Sequence, residues 1–389
     1  MEDARLQKYK EVLGKVLDSG TYSKEIQKYF LDNIHLKELS VYINNLCNLR
    51  CKHCSFGFPS GNQYLHSEEL SADELVNFID KNFSNQENSI IAFAGREPFF
   101  NDKIIGVLEK LNKLVENGSK FRYGVVSNGT LIKKYFPFLK ENKNLNWIDI
   151  SLDGDEKTHD FIRGQGVYQK AIESLGELLN NKIVRYSGIS TCCHKGNYSI
   201  LPELFEKLYK EINLTNICLL PYVYTGTNNK KFLSSKKEFV EFYKKLMNHE
   251  KLSELPINIL WDFEWFTIPF VQELYKKNLF SIDDLKLDKE KTPYILLKKG
   301  KMNICLKFTM LEFDRFLLSS DGYFGTMFIL EDPNYWKFSV CNIRDCKITD
   351  GVLRKTLEIQ FEHINRNLEQ HKDVLLSEVL SSSDLKEKK

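Results

Sequence analysis

The stretch YINNLCNLRCKHCSFG, residues 42–57, decides the fold prediction because it places three cysteines directly after an apolar lead-in. Cys47, Cys51 and Cys54 fall within eight residues with the spacing C-x3-C-x2-C. A structural zinc site takes four protein ligands, so a zinc knot here needs a fourth ligand such as His53. An iron–sulfur cube ordinarily takes four thiolates, and three would leave one iron open to another ligand. The spacing therefore predicts a metal site and leaves both metals possible.

The composition of the 389-residue chain argues against a nucleic-acid-binding protein and against a membrane protein. It is 42% hydrophobic and 28% charged, with a formal net charge of +2, which does not indicate a nucleic-acid or membrane partner. We find no signal peptide and no apolar run long enough to span a bilayer, so we expect a cytoplasmic protein. Nine cysteines, an odd number, are then metal ligands or reactive thiols before they are disulfides.

Short apolar strands alternate with amphipathic helices over residues 38–227. The strand candidates are 38–44, 89–95, 122–129, 147–154, 184–191 and 215–222. Strands that alternate with helices in this way predict parallel βαβ units, and polar or Gly-rich residues follow each strand. The fold class is therefore α/β, a partial (β/α)6 barrel that carries its chemistry at the carboxyl ends of the strands.

The rest of the chain differs from this pattern, and we expect five regions. They are a helical prelude (1–37), the barrel core (38–227), a helical connecting segment (228–300), a smaller strand-rich α+β region (301–350) and a terminal helix with its tail (351–389). The aromatic run at 261–270 is interpreted as core packing of a helix, and Cys218 as an inert core residue within a strand.

The motif CNLRCKHC resembles the cluster motif of radical S-adenosylmethionine (radical SAM) enzymes, and later loops resemble that family's loops in the same order. These are AFAGREPFF (92–100), VVSNGT (125–130), ISLDG (150–154) and HDFIRG (159–164). In the first loop Arg96 replaces the second glycine of the family's Gly-Gly-Glu-Pro. The last is similar to a motif of the sulfatase-maturase and peptide-modifying branch. The resemblance covers about residues 38–226.

The resemblance implies one [4Fe–4S] cluster on Cys47, Cys51 and Cys54, with an open iron that chelates SAM. The implied SAM contacts are His53 (adenine), Gly95 and Glu97 (ammonium), Ser127 and Asn128, Ser151 and Asp153 (ribose), and Arg163 (carboxylate). Each has a structural alternative: a turn for Ser127 and Asn128, a helix cap for Ser151 and Asp153, and an ion pair with Asp160 or Glu156 for Arg163.

The implied activity is reductive cleavage of SAM to a 5′-deoxyadenosyl radical, which abstracts a hydrogen atom from a peptide or protein substrate. An external one-electron reductant of the flavodoxin or ferredoxin type would supply the electron. A small-molecule substrate derived from a sugar or an amino acid is the alternative. A non-catalytic iron–sulfur or zinc protein is the alternative from another class. No residue is assigned as catalytic, and Cys192 and Cys193 are expected to be structural.

The stretch LLSSDGYFGTMF (317–328) resembles a strand pair of the SPASM domain, a cysteine-rich extension that holds auxiliary clusters in related enzymes. Only Cys305, Cys341 and Cys346 lie in this region, and Met327 falls near a position where the family has cysteine. Because an auxiliary cluster needs about four ligands, we expect a degenerate region that caps the barrel mouth without a cluster. A surviving auxiliary cluster is the alternative.

Overall fold

The computed structural model describes residues 3–56, 59–222, 230–326 and 334–370. Its strands, in chain order, are β1 (Glu38–Val41), β2 (Ile90–Phe93), β3 (Arg122–Ser127), β4 (Leu145–Ser151), β5 (Tyr186–Cys193), β6 (Asn216–Pro221), β7 (Asn258–Asp262), β8 (Lys286–Leu287), β9 (Pro293–Lys299), β10 (Met302–Lys307), β11 (Arg315–Leu318), β12 (Tyr323–Gly325) and β13 (Cys341–Asn342).

The helices, in chain order, are α1 (Ala4–Ser19), α2 (Lys24–Asp32), α3 (Ala72–Phe83), α4 (Lys103–Glu116), α5 (Phe136–Glu141), α6 (Glu156–Arg163), α7 (Val167–Asn180), α8 (Leu201–Ile212), α9 (Lys236–Met247), α10 (Glu250–Ser253), α11 (Ile268–Lys276), α12 (Tyr335–Phe338) and α13 (Asp350–Gln370). Capping boxes begin α3 and α9, at Ser71 with Glu74 and at Ser235 with Glu238. None of the helices in the described ranges is long and apolar enough to cross a membrane.

The strands form one sheet in the order β13-β12-β11-β1-β2-β3-β4-β5-β6-β7-β10-β9-β8. Pairing is parallel from β11 through β1 to β7 and on to β10, and it is antiparallel at both margins. The first six strands alternate with helices along the chain, so the sheet curls into the predicted partial (β/α)6 barrel. The fold class is confirmed.

Alternate residues of the strands explain why helices cover one face of the sheet. Ile148 and Ile150 of β4, and Ile217 and Leu219 of β6, are buried in the main core together with apolar residues of the helices. The residues between them, such as Asp149 and Cys218, point to the inner face of the half-barrel. Cys218 is half-buried and lines a cavity there, so its interpretation as a core residue is wrong, whereas its inertness stays a prediction.

The prediction of a helical connecting segment over residues 228–300 is wrong from residue 258 onward, except for α11 (Ile268–Lys276). β7 continues the parallel sheet beside β6, and β9 pairs with β10 at the margin. Trp261, which we expected in a helix, is a fully buried residue of β7. The reason is that residues 258–261 alternate between exposed and buried side chains, as strand residues do, within a stretch whose composition favours helix.

The region over residues 301–350 is divided between the two ends of the sheet. β10 pairs with β7, whereas β11 pairs with β1 and continues into β12 and β13. Cys305 on β10 is therefore remote in the sheet from Cys341 on β13. Cys341 and Cys346 are joined as a disulfide, which contradicts our expectation that the cysteines are not disulfides. Met327 lies outside the described residues.

Residues of the prelude pack against the C-terminal part of the chain. The Tyr22 hydroxyl donates to the carbonyl of Met310 at 2.7 Å. The ring centroids of Phe30 and Phe313 are 4.7 Å apart, and those of Phe313 and Phe361 are 4.6 Å apart. Such aromatic pairs contribute beyond their buried area. The boundaries of the five regions stay a prediction.

Candidate functional site

The three cysteines lie in the loop that follows β1, at the carboxyl ends of the parallel strands. The amide of Lys52 donates to the carbonyl of Ile162 at 2.9 Å, which ties this loop to the last turn of α6. Burial raises the pKa of the Cys51 thiol to about 12, Arg163 lowers it, and the Cys54 and Cys47 thiolates raise it further. The three thiols therefore share one neighbourhood.

This donor set fits three cysteine ligands of an iron–sulfur cube. Within the ranges that the structure describes, no three His, Cys, Asp or Glu side chains are placed to hold one metal ion together. A [4Fe–4S] cluster has a separate iron for each cysteine ligand, and it requires the thiolate form. Bound iron would therefore have to lower the pKa of the Cys47 and Cys51 thiols, which burial raises.

The loop after β2 depends on a glycine at its first position. Gly95 has a φ of +82°, and a Cβ added there would lie 2.3 Å from two ring carbons of Tyr42. Glycine adopts this conformation at no steric cost, and no other side chain fits against the Tyr42 ring. The motif's first glycine is thus required by backbone geometry and by the close approach of Tyr42.

Arg96, where the family has glycine, adopts the left-handed conformation with a φ of +48°. Its guanidinium donates to Asn45 Oδ1 at 2.7 Å and to the Pro59 carbonyl at 3.2 Å, and it lies 4.0 Å from the centroid of the Phe56 ring. These contacts offset the conformational cost of a non-glycine residue there. They also hold both flanks of the cysteine loop together.

Glu97 is fully buried and its carboxylate is bonded within the protein. One oxygen accepts from the Ser127 hydroxyl at 2.8 Å and from the Phe99 amide at 3.0 Å, and the other accepts from the Asn128 amide at 2.8 Å. Burial raises the pKa of Glu97, and these donors oppose that rise. Glu97 therefore joins the loop after β2 to the end of β3. Asn128 in turn donates to Asn48 Oδ1, inside the cysteine loop, at 3.0 Å.

Asp153, just beyond β4, is fully buried and joins three elements. Its carboxylate accepts from Arg163 Nε at 2.5 Å and from the Cys192 amide at 3.0 Å, and it lies 2.8 Å from His53 Nε2. Although burial opposes ionisation, Arg163 and His53 hold the pKa of Asp153 well below its usual range. The ion pair of Arg163 is thus with Asp153, and the expected alternatives Asp160 and Glu156 are not its partners.

Several polar atoms around Asp153 have no hydrogen-bond partner among the described residues. His53 Nδ1 is buried without a hydrogen bond in the part of the chain that is described. Ser151 ends β4 with its side chain partly exposed on the inner face. A buried, unpartnered ring nitrogen requires a ligand or water to satisfy it. The residues predicted to contact SAM thus include open hydrogen-bonding groups as well as groups that already bond within the protein.

Sequence reasoning missed Asn197 and His194, which follow β5. The Asn197 amide donates to the carbonyls of Asp153 and Cys192, both at 2.8 Å, and so fixes the ends of β4 and β5 together. His194 is fully buried with Nε2 unpartnered among the described residues. The segment CCHKGN contains these residues, but only the position of β5 beside β4 reveals their contacts.

A known protein family includes the part of the chain that carries the cysteine loop and the residues around Asp153. The family model described as "Radical SAM superfamily" matches residues 41–215. The chain contains a radical SAM domain. Proteins of this superfamily use a [4Fe–4S] cluster and SAM, and the matched range includes all three cysteines and all eight residues predicted to contact SAM.

Relatives of the radical SAM domain include enzymes of different activities. The chain is 27% identical over 214 residues to the Fe-coproporphyrin III synthase of Methanosarcina barkeri, covering 54% of this chain and 51% of that protein. It is 26% identical over 227 residues to the GTP 3′,8-cyclase of Petrotoga mobilis, covering 57% and 66%. The chain thus spans about half to two thirds of the length of these relatives.

Solved structures similar to this chain support the radical SAM fold. Streptococcus suis SuiB bound to precursor peptide SuiA matches with a TM-score of 0.55 at 17% identity, covering 77% of this chain and 62% of that one. Native anSMEcpe with bound AdoMet matches with a TM-score of 0.57 at 18% identity, covering 83% and 82%. At these identities the match shows the fold alone.

Replacing Gly95 by alanine is expected to destabilise the radical SAM domain by about 2 to 4 kcal/mol, because the methyl group adds a clash with Tyr42 to the strain of a positive φ. Gly166→Ala is the matched control, since Gly166 has a φ of +74° but nothing within 4 Å of an added Cβ. It should cost about 1 kcal/mol. Urea unfolding of both variants measures the difference, and equal losses would show that the Tyr42 contact does not constrain the loop.

The stability of the domain is expected to fall as the pH falls from about 6.5 to 4. Burial lowers the pKa of His159 and of His194 to about 4, from 6.5. Their Nδ1 atoms accept from the amides of Asp153 at 3.1 Å and Gly196 at 3.0 Å, so both rings are neutral. The unfolded chain binds protons on these rings near pH 6.5, whereas the folded chain resists their protonation until about pH 4. Protonation therefore favours the unfolded chain in this window. The full stability is present above the unfolded pKa and is lost as the pH falls toward the folded pKa.

Across that window, each histidine should lower the free energy of unfolding by about 1.4 kcal/mol for each unit by which the pH falls. Urea unfolding at pH 7 and pH 5 measures the loss for both rings together. In the double variant His159→Asn and His194→Asn, the amide oxygen replaces Nδ1 as acceptor and does not titrate. That variant should lose less stability between the two pH values, and an unchanged loss would contradict the assignment.

Proposed function

We propose that this chain is an enzyme that cleaves SAM reductively and abstracts a hydrogen atom from a peptide or protein substrate. The observation that carries the proposal is the meeting of the cysteine loop with Asp153, His53 and Arg163 at the carboxyl ends of the strands. The reducing equivalents would come from an external one-electron donor of the flavodoxin or ferredoxin type. We propose a cytoplasmic location, where such donors are kept reduced.

Cys47, Cys51 and Cys54 would hold the cluster. When bound, a [4Fe–4S] cluster with an open iron supplies the electron that splits SAM into methionine and a 5′-deoxyadenosyl radical, which takes a hydrogen atom from the substrate. The protein's own part is to bind, orient and exclude water. A loop held by Arg96 on one side and by Lys52 on the other keeps the three thiols together.

The residues around Asp153 would orient SAM. Arg163 donates through Nε to Asp153, so its terminal nitrogens are left to bind a carboxylate as a planar donor pair. Asp153 fixes the His53 ring, which leaves Nδ1 as the open hydrogen-bonding atom. Ser151 offers its hydroxyl from the inner face of β4. We propose these three as direct SAM contacts.

Glu97, Ser127 and Asn128 would act by positioning. The Glu97 carboxylate already accepts three hydrogen bonds, so it aligns the loops after β2 and β3, and backbone carbonyls of the Gly95 loop would accept from the SAM ammonium. Gln at position 97 would keep the size of the side chain but lose the charge-assisted bonds.

A peptide substrate is favoured by two observations. HDFIRG (159–164) is similar to the motif of the peptide-modifying branch, and both structural matches described above belong to proteins crystallised with peptides, SuiB with precursor peptide SuiA and anSMEcpe with Cp18Cys peptide. The names of the relatives in Methanosarcina barkeri and Petrotoga mobilis favour the second candidate, a small-molecule substrate.

The test is anaerobic incubation of the iron-loaded chain with SAM and a strong reductant. We expect slow formation of 5′-deoxyadenosine without substrate, and faster formation with the true substrate. A substrate deuterated at the reacting carbon should transfer deuterium into 5′-deoxyadenosine. A fully iron-loaded chain that neither binds SAM nor forms this product would favour the non-catalytic alternative. Stoichiometric zinc without iron after anaerobic purification would show that the three cysteines bind zinc and not an iron–sulfur cluster.

A further inference from the structure

A cavity of about 510 Å³ opens on the inner face of the half-barrel, on the side of β6, β7, β9 and β10. Its volume lies within the range of ligand-binding pockets. It is separate from the cysteine loop, and neither the proposed SAM contacts nor the cluster uses its lining. The residues that line it come from two adjacent rows of side chains that cross the strands.

The first row is polar and continuous across the sheet. Asn216 of β6 pairs with Asn258 of β7, Asn258 pairs with Asn303 of β10, and Asn303 pairs with Lys298 of β9. Asn303 donates to Asn258 Oδ1 at 3.0 Å, which aligns the two amides. Three carboxamides in register on neighbouring strands therefore form a row of donors and acceptors that faces the cavity.

Asp149 of β4 ends this row on the side of the SAM site. It pairs with Gly188 of β5, which lies so close to Asn216 that an added Cβ would be 2.5 Å from the Asn216 carbonyl oxygen. Gly188 thus leaves a gap in the row between Asp149 and Asn216. Asp149 and Ser151 share a face of β4 two residues apart, so the row begins about 7 Å from the proposed SAM contact Ser151.

The second row is apolar and contains two thiols. Cys218 pairs with Leu260, Leu260 pairs with Cys305, and Cys305 pairs with Leu296. Leu260 and Leu296 are 36% and 37% exposed, so both offer apolar surface to a ligand in the cavity. A polar row beside an apolar row fits a ligand that carries hydrogen-bonding groups along one side and apolar groups along the other.

The two ends of the polar row have opposite charges. Asp149 has no hydrogen bond or ion pair with any described residue, and burial alone raises its pKa to about 6. Lys298 is exposed at the far end. Asp149 and Lys298 are separated by five steps between strands, or about 24 Å along the curved sheet. An extended peptide covers that distance with about seven residues, whereas a small molecule would cover only a part of it.

We propose that this groove binds an extended peptide segment of about seven residues, with a basic side chain at Asp149 and an acidic side chain at Lys298. The inference rests on the proposed function, because it specifies the peptide that the enzyme would bind. Peptide amides would bond to the asparagine row, and apolar side chains would lie on Leu260 and Leu296. The basic end of the segment lies nearest the SAM site.

The test uses affinity selection by the iron-loaded chain from an equimolar library of synthetic heptapeptides, acetylated and amidated at their ends. Mass spectrometry identifies the retained peptides. We expect at least tenfold enrichment of peptides with Lys or Arg near one end and Asp or Glu near the other. Asp149→Asn should remove the preference for the basic residue, and Lys298→Glu the preference for the acidic one.

Lys299→Glu is the matched control, because it makes the same charge change on the neighbouring residue, which faces away from the groove. It should retain the selection of the unaltered chain. Formation of 5′-deoxyadenosine without peptide is measured in each preparation. SAM cleavage without any peptide selection would overturn the groove and leave the proposed function intact. Equal selection by the chains with Lys298→Glu and Lys299→Glu would also overturn it, in favour of a small ligand or a second copy of the chain in the groove.

Discussion

About four iron atoms per chain are expected after anaerobic reconstitution, and replacing Cys47, Cys51 and Cys54 by alanine should remove all of them. The reason is that these three thiols share one neighbourhood in the loop after β1. The iron–sulfur absorbance and the formation of 5′-deoxyadenosine should disappear with the iron. Iron analysis, the absorbance spectrum and product chromatography measure the three effects on the same preparation.

The triple variant Cys305→Ala, Cys341→Ala and Cys346→Ala is the control. It removes the same number of thiols, but Cys305 lies on β10, whereas Cys341 and Cys346 are bonded to each other near the opposite end of the sheet. It should keep about four irons. Loss of iron from the control, together with about four iron atoms kept by the first variant, would contradict this prediction. It would show that the region over residues 301–350 holds an auxiliary cluster.

The barrel was predictable because its signals are local. Each βα unit from β1 to β6 has an apolar strand, a polar loop and an amphipathic helix, and these periods appear in the sequence without knowledge of the fold. β7 was missed because only four or five residues show its alternation, between α10 and α11. A buried Trp261 is equally compatible with a helix and with a strand. Only the pairing of β7 with β6 and β10 shows that it lies in a strand.

The inner face of the sheet was not predictable for a related reason. Cys218 lies between Ile217 and Leu219 in the apolar strand NICLLP, and the sequence does not tell which of the two faces meets the helices. The row of Asn216, Asn258 and Asn303 likewise exists only once β6, β7 and β10 are placed side by side. Parallel strands far apart in sequence bring together residues that no local motif connects.

The sequence predicts which residues belong to the candidate site, and that membership stays a prediction; their contacts could not be predicted. The cysteine spacing and the loops after β2, β3 and β4 are short motifs, and the structure places them together at the carboxyl ends of the strands. The contact of Glu97 with SAM stays a prediction, but the sequence did not show that its carboxylate also accepts from Ser127, Asn128 and Phe99. Such pairings depend on the distance between loops, which the motifs do not encode.

Two arginines give the cysteine loop a positive surrounding. Arg96 holds its outer flank at Asn45 and Pro59, and Arg163 lies close enough to Cys51 to lower the pKa of that thiol. Thiolates are stabilised by neighbouring cations. The replacement of glycine by Arg96 thus has a consequence beyond backbone conformation, because it adds a positive charge beside Cys47 and Cys54 that a glycine would not carry.

Replacing Asp153 by asparagine is expected to destabilise the chain by about 3 kcal/mol or more, and to weaken SAM binding about tenfold or more. Asparagine has the same shape but only one acceptor oxygen and no charge. It would leave the buried guanidinium of Arg163 without its ion pair and would release the His53 ring. Urea unfolding measures the stability, and equilibrium dialysis of SAM against the iron-loaded variant measures the binding.

Asp149→Asn is the matched control for stability. It makes the same substitution within β4, at a carboxylate that has no hydrogen bond or ion pair with any described residue. Because burial raises the pKa of Asp149 to about 6, its charge opposes folding above that pH, and the amide should cost no stability at pH 7.5. Equal destabilisation by the two substitutions would show that the pairing with Arg163 and His53 does not hold the site. A stable Asp153→Asn variant that binds SAM normally would move the proposed SAM contacts away from this carboxylate, because neither Arg163 nor His53 would then depend on it for position.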